Sequence, residues 1–106
     1  MVVLMFGVEQ VVEGDRVSVK VTGDIDLATA DKVGEAVSDA LTKGDEVWVD
    51  LSAVTFLDST GIRALVQGHR KAAAQGARLY VHGAQQWVAK VLEVTGVGPL
   101  LAPPGS

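Results

Sequence analysis

The sequence predicts a small α/β domain, and three observations carry that prediction. Short runs such as Arg16 to Gly23 (RVSVKVTG) alternate strictly, with Val17, Val19 and Val21 on one side and Arg16, Ser18 and Lys20 on the other. Between such runs lie stretches whose apolar residues recur every three or four positions, the period of an amphipathic helix. The 106 residues are 48% hydrophobic and 21% charged, an ordinary globular balance. A chain of this length has room for one core, which buries roughly 65% of the surface that the unfolded chain exposes. Residues 1–106 are therefore read as a single domain, with a Pro/Gly tail from about residue 102 expected to be disordered.

Val3 to Val12 (VLMFGVEQVV) reads as a first strand and Arg16 to Gly23 as a second. Glu13 to Asp15 (EGD) forms the turn between them, so the two make an antiparallel hairpin. In Asp26 to Glu46, the spacing of Ala30, Val33, Val37, Ala40 and Leu41 predicts a helix of about 13 residues, with Asp26 or Thr29 as its cap and Gly44 at its end. Glu46 to Leu57 (EVWVDLSAVTFL) is a third strand, with Val47, Val49 and Leu51 facing one way and Trp48 and Asp50 the other. Ile62, Leu65, Val66, His69, Ala72 and Ala73 mark a second helix, closed by Gly76. Ala77 to Gly83 (ARLYVHG) is a fourth strand, and Gln85 to Gly96 a third helix built on Val88, Val91, Leu92 and Thr95. Pro99 to Pro103 (PLLAP) offers a last edge strand.

The order is β-β-α-β-α-β-α-(β). It predicts a mixed, mostly parallel sheet of four or five strands, since strands joined through helices run parallel with right-handed crossovers. Strands that alternate, rather than running continuously apolar, place the helices mainly on one sheet face and leave the other partly open. Lys20, Trp48 and Tyr80 fall on that open face, a candidate surface for self-association, although single exposed aromatics are common.

Several functions are excluded by composition and spacing. Thirteen acidic and nine basic residues give a net charge of −4, and the densest basic run is only HRK at 69–71, so nucleic acid is not an expected partner. The absence of cysteine removes disulfides, zinc ribbons and thiol catalysis, and fits a reducing cytoplasm. The first ten residues are apolar but lack a basic leader and are broken at Glu9, unlike a signal peptide. No apolar run reaches the roughly 18 residues of a membrane span. Gly96 and Gly98, followed by Pro99, make a turn rather than a phosphate cradle. Leu57 stands where a hydrolase elbow G-x-S-x-G around Ser59 would need its first glycine. His69 belongs to the apolar stripe of its helix, and His82 to an exposed strand end. Asp24 and Asp26 are two apart, a weak hint of metal binding beside the simpler role of Asp26 as a helix cap. No cofactor is called for.

One stretch resists a purely structural reading: Phe56 to Val66, FLDSTGIRALV. Asp58, Ser59 and Thr60 can each cap a helix, a contribution of about 1 kcal/mol. Capping needs only one of them, and three stand in succession before Gly61. A glycine in a first helical turn lowers helix stability by up to about 1 kcal/mol, which points to a close approach of the backbone to something. Asp-Ser-Thr-Gly is also one residue longer than the aspartic-protease motif.

This turn, with VTGDIDLATADKV before it, VWVDLSAVTFL leading into it and VAKVLEVTGV after it, resembles the STAS domain family, specifically the bacterial anti-anti-sigma factors, over roughly residues 8 to 101. The resemblance implies a non-enzymatic partner switch in the cytoplasm. Members of this kind bind an anti-sigma factor that is also a serine kinase and so release a sigma factor; the kinase phosphorylates the serine that follows the aspartate, and a PP2C-type phosphatase reverses it. On this chain the acceptor is Ser59, and the partner-binding positions are Asp24, Asp26, Asp58, Ser59, Thr60 and Gly61. A STAS scaffold, or a small subunit of a lipid-transport or stress-signalling complex that uses no serine phosphorylation, is the alternative. A nucleotide-hydrolysing enzyme is the weakest reading, because neither a phosphate loop nor a general base is visible.

Overall fold

The structure is a computed structural model that describes residues 5–105. Four strands form one sheet in the order β1 (Gly7–Glu13), β2 (Arg16–Ile25), β3 (Glu46–Leu57) and β4 (Arg78–His82). The first two are antiparallel, joined by the two-residue loop Gly14–Asp15 with Gly14 in the left-handed region (φ 61°). The β2–β3 and β3–β4 pairings are parallel. Helix α1 (Ala30–Ala40) joins β2 to β3, α2 (Ser59–Ala74) joins β3 to β4, and α3 (Gln86–Val94) and α4 (Gly98–Leu101) follow. The expected first strand begins four residues later than its apolar run, and Val3 and Leu4 lie outside the described residues.

The proposed last edge strand is instead the short helix α4. Pro99 sits in its first turn, where a missing N–H and a fixed φ suit a helix start, and Leu101 turns into the core with 1% exposure. The sheet thus has four strands among the described residues.

One apolar cluster holds the fold together. Val17, Val19, Val21 and Ile25 of β2 and Val47, Val49, Leu51, Val54 and Leu57 of β3 meet Val33 and Val37 of α1, Leu65 of α2, Val88 and Leu92 of α3, and Leu101 of α4. All four helices therefore feed a single core on one face of the sheet. The inward phase of β3 changes after Leu51, because two bulges interrupt its pairing. Lys20 faces Asp50 but Thr22 faces Ala53; Gly23 faces Val54 but Asp24 faces Phe56. Each bulge inserts one extra residue into β3: the first turns Val54 inward where strict alternation would have sent it out, and the second restores the original phase at Leu57.

The buried stripe of α2 is Gly61, Ala64, Leu65, Gly68 and Ala72, while Ile62, Val66 and His69 are half-buried and Ala73 is exposed. Small residues form the seam because the helix lies close to its neighbours. A Cβ on Gly61 would stand 2.5 Å from Leu57 Cδ1 and 2.6 Å from Ile25 Cγ2, and one on Gly68 would stand 2.9 Å from Val37 Cγ1. Helix α1 ends at Leu41 rather than at Gly44; Gly44 instead makes room for the backbone of Asp15, whose carbonyl oxygen would lie 2.5 Å from an added Cβ. Gly76, with φ 76°, closes α2 as expected.

Two glycine substitutions should therefore move stability in opposite directions. Gly34→Ala, where an added Cβ meets nothing within 4 Å, should raise stability by up to about 1 kcal/mol through helix propensity. Gly61→Ala gains the same propensity but overpacks the core by about 1–3 kcal/mol, for a net loss. Urea denaturation of both variants checks the sign of each change.

Candidate functional site

The motif residues gather at the carboxyl ends of two adjacent parallel strands. Ile25 pairs with Leu57 at the last step of the β2–β3 ladder, and the Asp58 amide then donates to the Ile25 carbonyl at 3.2 Å. The loop leaving β2 and the turn leaving β3 are thereby stitched together. Asp24 and Asp58, far apart in sequence, share one edge of the sheet. The Thr55 hydroxyl adds a 2.6 Å hydrogen bond to Asp24 Oδ1.

Asp58, Ser59 and Thr60 divide the work of the turn. Asp58 is the N-cap of α2, with extended backbone (φ −109°, ψ −172°), and its Oδ1 accepts from the amides of Thr60 (2.9 Å) and Gly61 (3.3 Å). The Thr60 hydroxyl donates to the same carboxylate oxygen. Ser59 occupies the first helical position, is exposed, and its hydroxyl has no hydrogen bond among the described residues. The capping role thus belongs to Asp58 and not to Ser59. Of the two hydroxyls in the motif, one is committed and one points to solvent. Gly61 lies buried beneath the turn, and its close approach is to Leu57 and Ile25 of the core.

The loop into α1 is organised by a different device. Asp26 Oδ1 accepts from the Ala28 amide at 2.9 Å, while the Thr29 hydroxyl accepts from the Asp26 amide (2.9 Å) and donates to the Asp24 carbonyl (2.8 Å). Thr29 is the N-cap by position, yet its side chain makes no bond to the helix. Neither expected cap acts as one; both hold the loop in shape. Leu27 is left at the loop tip, 80% exposed. It keeps the three-residue phase of Ala30 and Val33, so sequence periodicity alone would have placed it with the core.

Beside Ser59 an open groove of about 410 Å³ runs between α1 and α2, with Leu27 and Asp31 on one bank and Thr60, Arg63 and Gln67 on the other. Leu27 and Arg63 escaped the sequence reading, and only their exposure beside the motif marks them. Asp24, Asp26 and Asp58 form no ion pair among the described residues, where the salt bridges join Arg16 and Arg78 to Glu46, Lys43 to Asp39 and Lys90 to Glu93. This end of the molecule is consequently acidic. No group of three or more His, Asp or Glu side chains among the described residues is placed to hold a metal ion. His69 is half-buried on α2, with Nδ1 unpartnered, and His82 is exposed at the end of β4.

The Thr60 hydroxyl, together with the Gly61 and Thr60 amides, holds the Asp58 carboxyl below the usual carboxylate range, against the opposing effect of partial burial. A carboxyl lowered in the folded state stabilises the fold above its ordinary range, and that contribution is lost as pH falls through the lowered value. Asp58→Ala should cost about 1 kcal/mol near neutrality. Its deficit relative to the parent protein should shrink as pH falls below about 4, where the parent loses the same charge. Thermal melts of both proteins between about pH 6 and pH 2 check this.

The STAS_2 family (Mlab, STAS domain) matches residues 8–102 of the chain. An anti-sigma-B factor antagonist of Staphylococcus epidermidis is 30% identical over 96 residues, which cover 89% of this chain and 88% of that protein. Among solved structures, an anti-sigma factor antagonist from Mycobacterium paratuberculosis superposes with a TM-score of 0.82 at 22% identity, covering 95% of this chain and 88% of the other. The anti-sigma factor antagonist SpoIIAA in its unphosphorylated form gives a TM-score of 0.75 at 22% identity, covering 90% and 84%, and its phosphorylated form from Bacillus gives 0.68 at 21%, covering 90% and 86%. An Asp-capped, Ser-exposing turn at the carboxyl edge of a four-stranded mixed sheet thus sits in a chain that belongs to the STAS domain family, among the anti-sigma factor antagonists.

Proposed function

We propose that the protein is a phosphorylation-controlled binding module whose unphosphorylated form captures an anti-sigma factor with serine kinase activity and so frees a sigma factor. Phosphorylation of Ser59 ends the capture, and a PP2C-type phosphatase restores it. The reading takes the module as non-enzymatic and cytoplasmic. The observation that supports it best is the asymmetry of the two hydroxyls: Thr60 is tied to Asp58, and Ser59 is exposed and uncommitted. The contact surface comprises Asp24, Asp26, Asp58, Ser59 and Thr60, with Gly61 beneath them letting the turn lie low against the core.

The chemistry of the switch follows from the position of Ser59. A phosphate on the first residue of a 16-residue helix meets the positive end of the helix dipole, so the fold tolerates it. The interface does not. A charge of about −2 arrives beside Asp58 on a surface that must lose water to bind.

A second reading, a scaffold or small subunit of a lipid-transport or stress-signalling complex, draws on the apolar surface of α3, where Trp87 is 62% and Val94 73% exposed. The two readings part at Ser59, because in the second its charge is immaterial.

Incubation with the cognate anti-sigma kinase and ATP should add one phosphate, located on Ser59 by mass spectrometry; phosphate on Thr60, or none with a proven partner, would overturn the proposal. Ser59→Ala should bind the partner as well as the parent does and stay within about 0.5 kcal/mol of its stability, since the cap is Asp58. Ser59→Asp and Ser59→Glu should keep a native circular dichroism spectrum but bind more weakly, by less than true phosphorylation because a carboxylate carries less charge. Unchanged affinity in both acidic variants, measured by calorimetry, would favour the scaffold.

A further inference from the structure

The sheet face opposite the helices carries an ordered charge pattern. Cross-strand register places Glu13, Arg16, Glu46 and Arg78 side by side from β1 to β4. A parallel row, two steps toward the middle and then two more, reads Glu9, Lys20, Asp50 and His82. Both rows run acid, base, acid, base across the sheet. Between them lies a row of Val11, Ser18, Trp48 and Tyr80.

The centre of this face is stiff. The Trp48 indole N–H donates to Glu46, the Arg16 guanidinium lies 4.4 Å from the Trp48 ring centroid, and Tyr80 and His82 pack edge-on at 5.1 and 5.5 Å. Arg16 and Arg78 both reach the Glu46 carboxylate, at 3.0 and 3.4 Å. Trp48 and Tyr80 stay half-exposed, and all four helices pack on the other side. Aromatic and Arg side chains already held in place lose little freedom on binding, which is what an interface centre requires.

We propose that this face binds a second copy of the chain, about a two-fold axis that lies between the two sheets and parallel to their strands. Such an axis sets β1 over β4 and β2 over β3 while keeping each row over itself. Glu13 then faces Arg78 of the other copy, Arg16 faces Glu46, Lys20 faces Asp50, and Glu9 faces His82. Trp48 lies over Ser18, and Tyr80 over Val11. The other in-plane axis, perpendicular to the strands, sets every strand over itself and exchanges the outer rows. It puts Glu13 over Glu9, Arg16 over Lys20 and Glu46 over Asp50, like charge on like throughout. The pattern thus admits one two-fold arrangement and opposes the other. Stacked sheets sit about 30° askew, which displaces facing residues of the two charged rows by about 4 Å on the central strands and about 5 Å on the outer ones. The long Arg16 and Lys20 side chains span the smaller offset, so the Arg16–Glu46 and Lys20–Asp50 contacts survive the twist.

Four strands about 4.8 Å apart and three rows about 6.8 Å apart cover roughly 400 Å² per copy. About 800 Å² in total lies below the range of permanent interfaces, so the dimer is weak and reversible, and it weakens further as salt rises. The face shares no residue with the Ser59 edge, and its fate is independent of the switch.

Sedimentation velocity from about 10 µM to 1 mM tests the proposal. The parent protein should pass from monomer to dimer over that range; a monomer throughout would overturn it. Lys20→Glu and Asp50→Lys should each weaken dimerisation at least tenfold, and an equimolar mixture of the two should recover it. Within each variant the new residue faces a like charge in its own sheet, so recovery on mixing arises only across copies. A mixture that stays monomeric, or single variants that dimerise undiminished, would overturn the arrangement. Because Asp50 also accepts the Ser52 amide at 2.8 Å, Ser18→Arg provides a probe that removes no cross-strand ion pair. It should abolish the dimer while circular dichroism stays native, and a folded Ser18→Arg that dimerises like the parent would also overturn the proposal.

Discussion

The parallel pairing of β2 with β3 is the interaction on which the rest of the molecule depends. It contributes the inward valines and leucines that every helix packs against. It also carries two bulges in β3, and these decide which residues of that strand's second half face the core. Without them Val54 would point to solvent, and Ile25 would pair with Thr55 rather than with Leu57. The last rung, Ile25 with Leu57, and the hydrogen bond from the Asp58 amide to the Ile25 carbonyl then bind the two loops of the candidate site to one another. A site assembled at the carboxyl edge of parallel strands is a general outcome of this topology, because the chain must leave each strand there to enter a helix.

Helix α2 shows how a tight core and an exposed turn are served by the same residues. Its small-residue seam lets the backbone settle onto Ile25, Leu57 and Val37, which seats its first turn low against the strand ends. Asp58 then satisfies two of the orphan amides of that turn. With the cap provided from outside the helix, Ser59 has no structural duty. A residue without a structural duty can change its charge at little expense to the fold, which is the property a reversible modification needs.

The molecule keeps its chemistry spatially separate. The acidic edge of Asp24, Asp26 and Asp58 lies where the parallel strands end, while the aromatic and charged face built on Trp48 and Glu46 occupies the other half of the sheet, over the strand beginnings. Asp50 lies between the two regions. Its carboxyl is held below the ordinary range despite burial, by the Ser52 amide and hydroxyl and by the nearby His82 and Lys20. It therefore remains charged at the centre of the open face.

The sequence by itself determined the element order, the four principal strands, the three long helices and the motif. Each of these is a local pattern: a period of two in Arg16 to Gly23, a period near 3.6 in Ala30 to Leu41, and three helix-capping residues in succession before Gly61. It also indicated that one sheet face is open, since Trp48 and Tyr80 alternate with buried neighbours. Only the tertiary structure decided the rest. Which of Asp58, Ser59 and Thr60 caps the helix depends on where the strand before them ends and how α2 is tilted, and both follow from long-range packing. Leu27 keeps helical phase yet lies exposed, because the loop around Asp26 and Thr29 carries it away from the core before the helix begins. Pro99 to Pro103 has the apolar content of a strand but becomes a helical turn, as no rule of composition distinguishes a sheet edge from a core plug. Gly44 reads as a helix end along the chain and acts in space as a site of close approach to Asp15, while the close approach that Gly61 implies finds its partners, Ile25 and Leu57, only in the folded core. The rows of alternating charge exist only through register, and register is a relation between strands that no single segment of sequence contains.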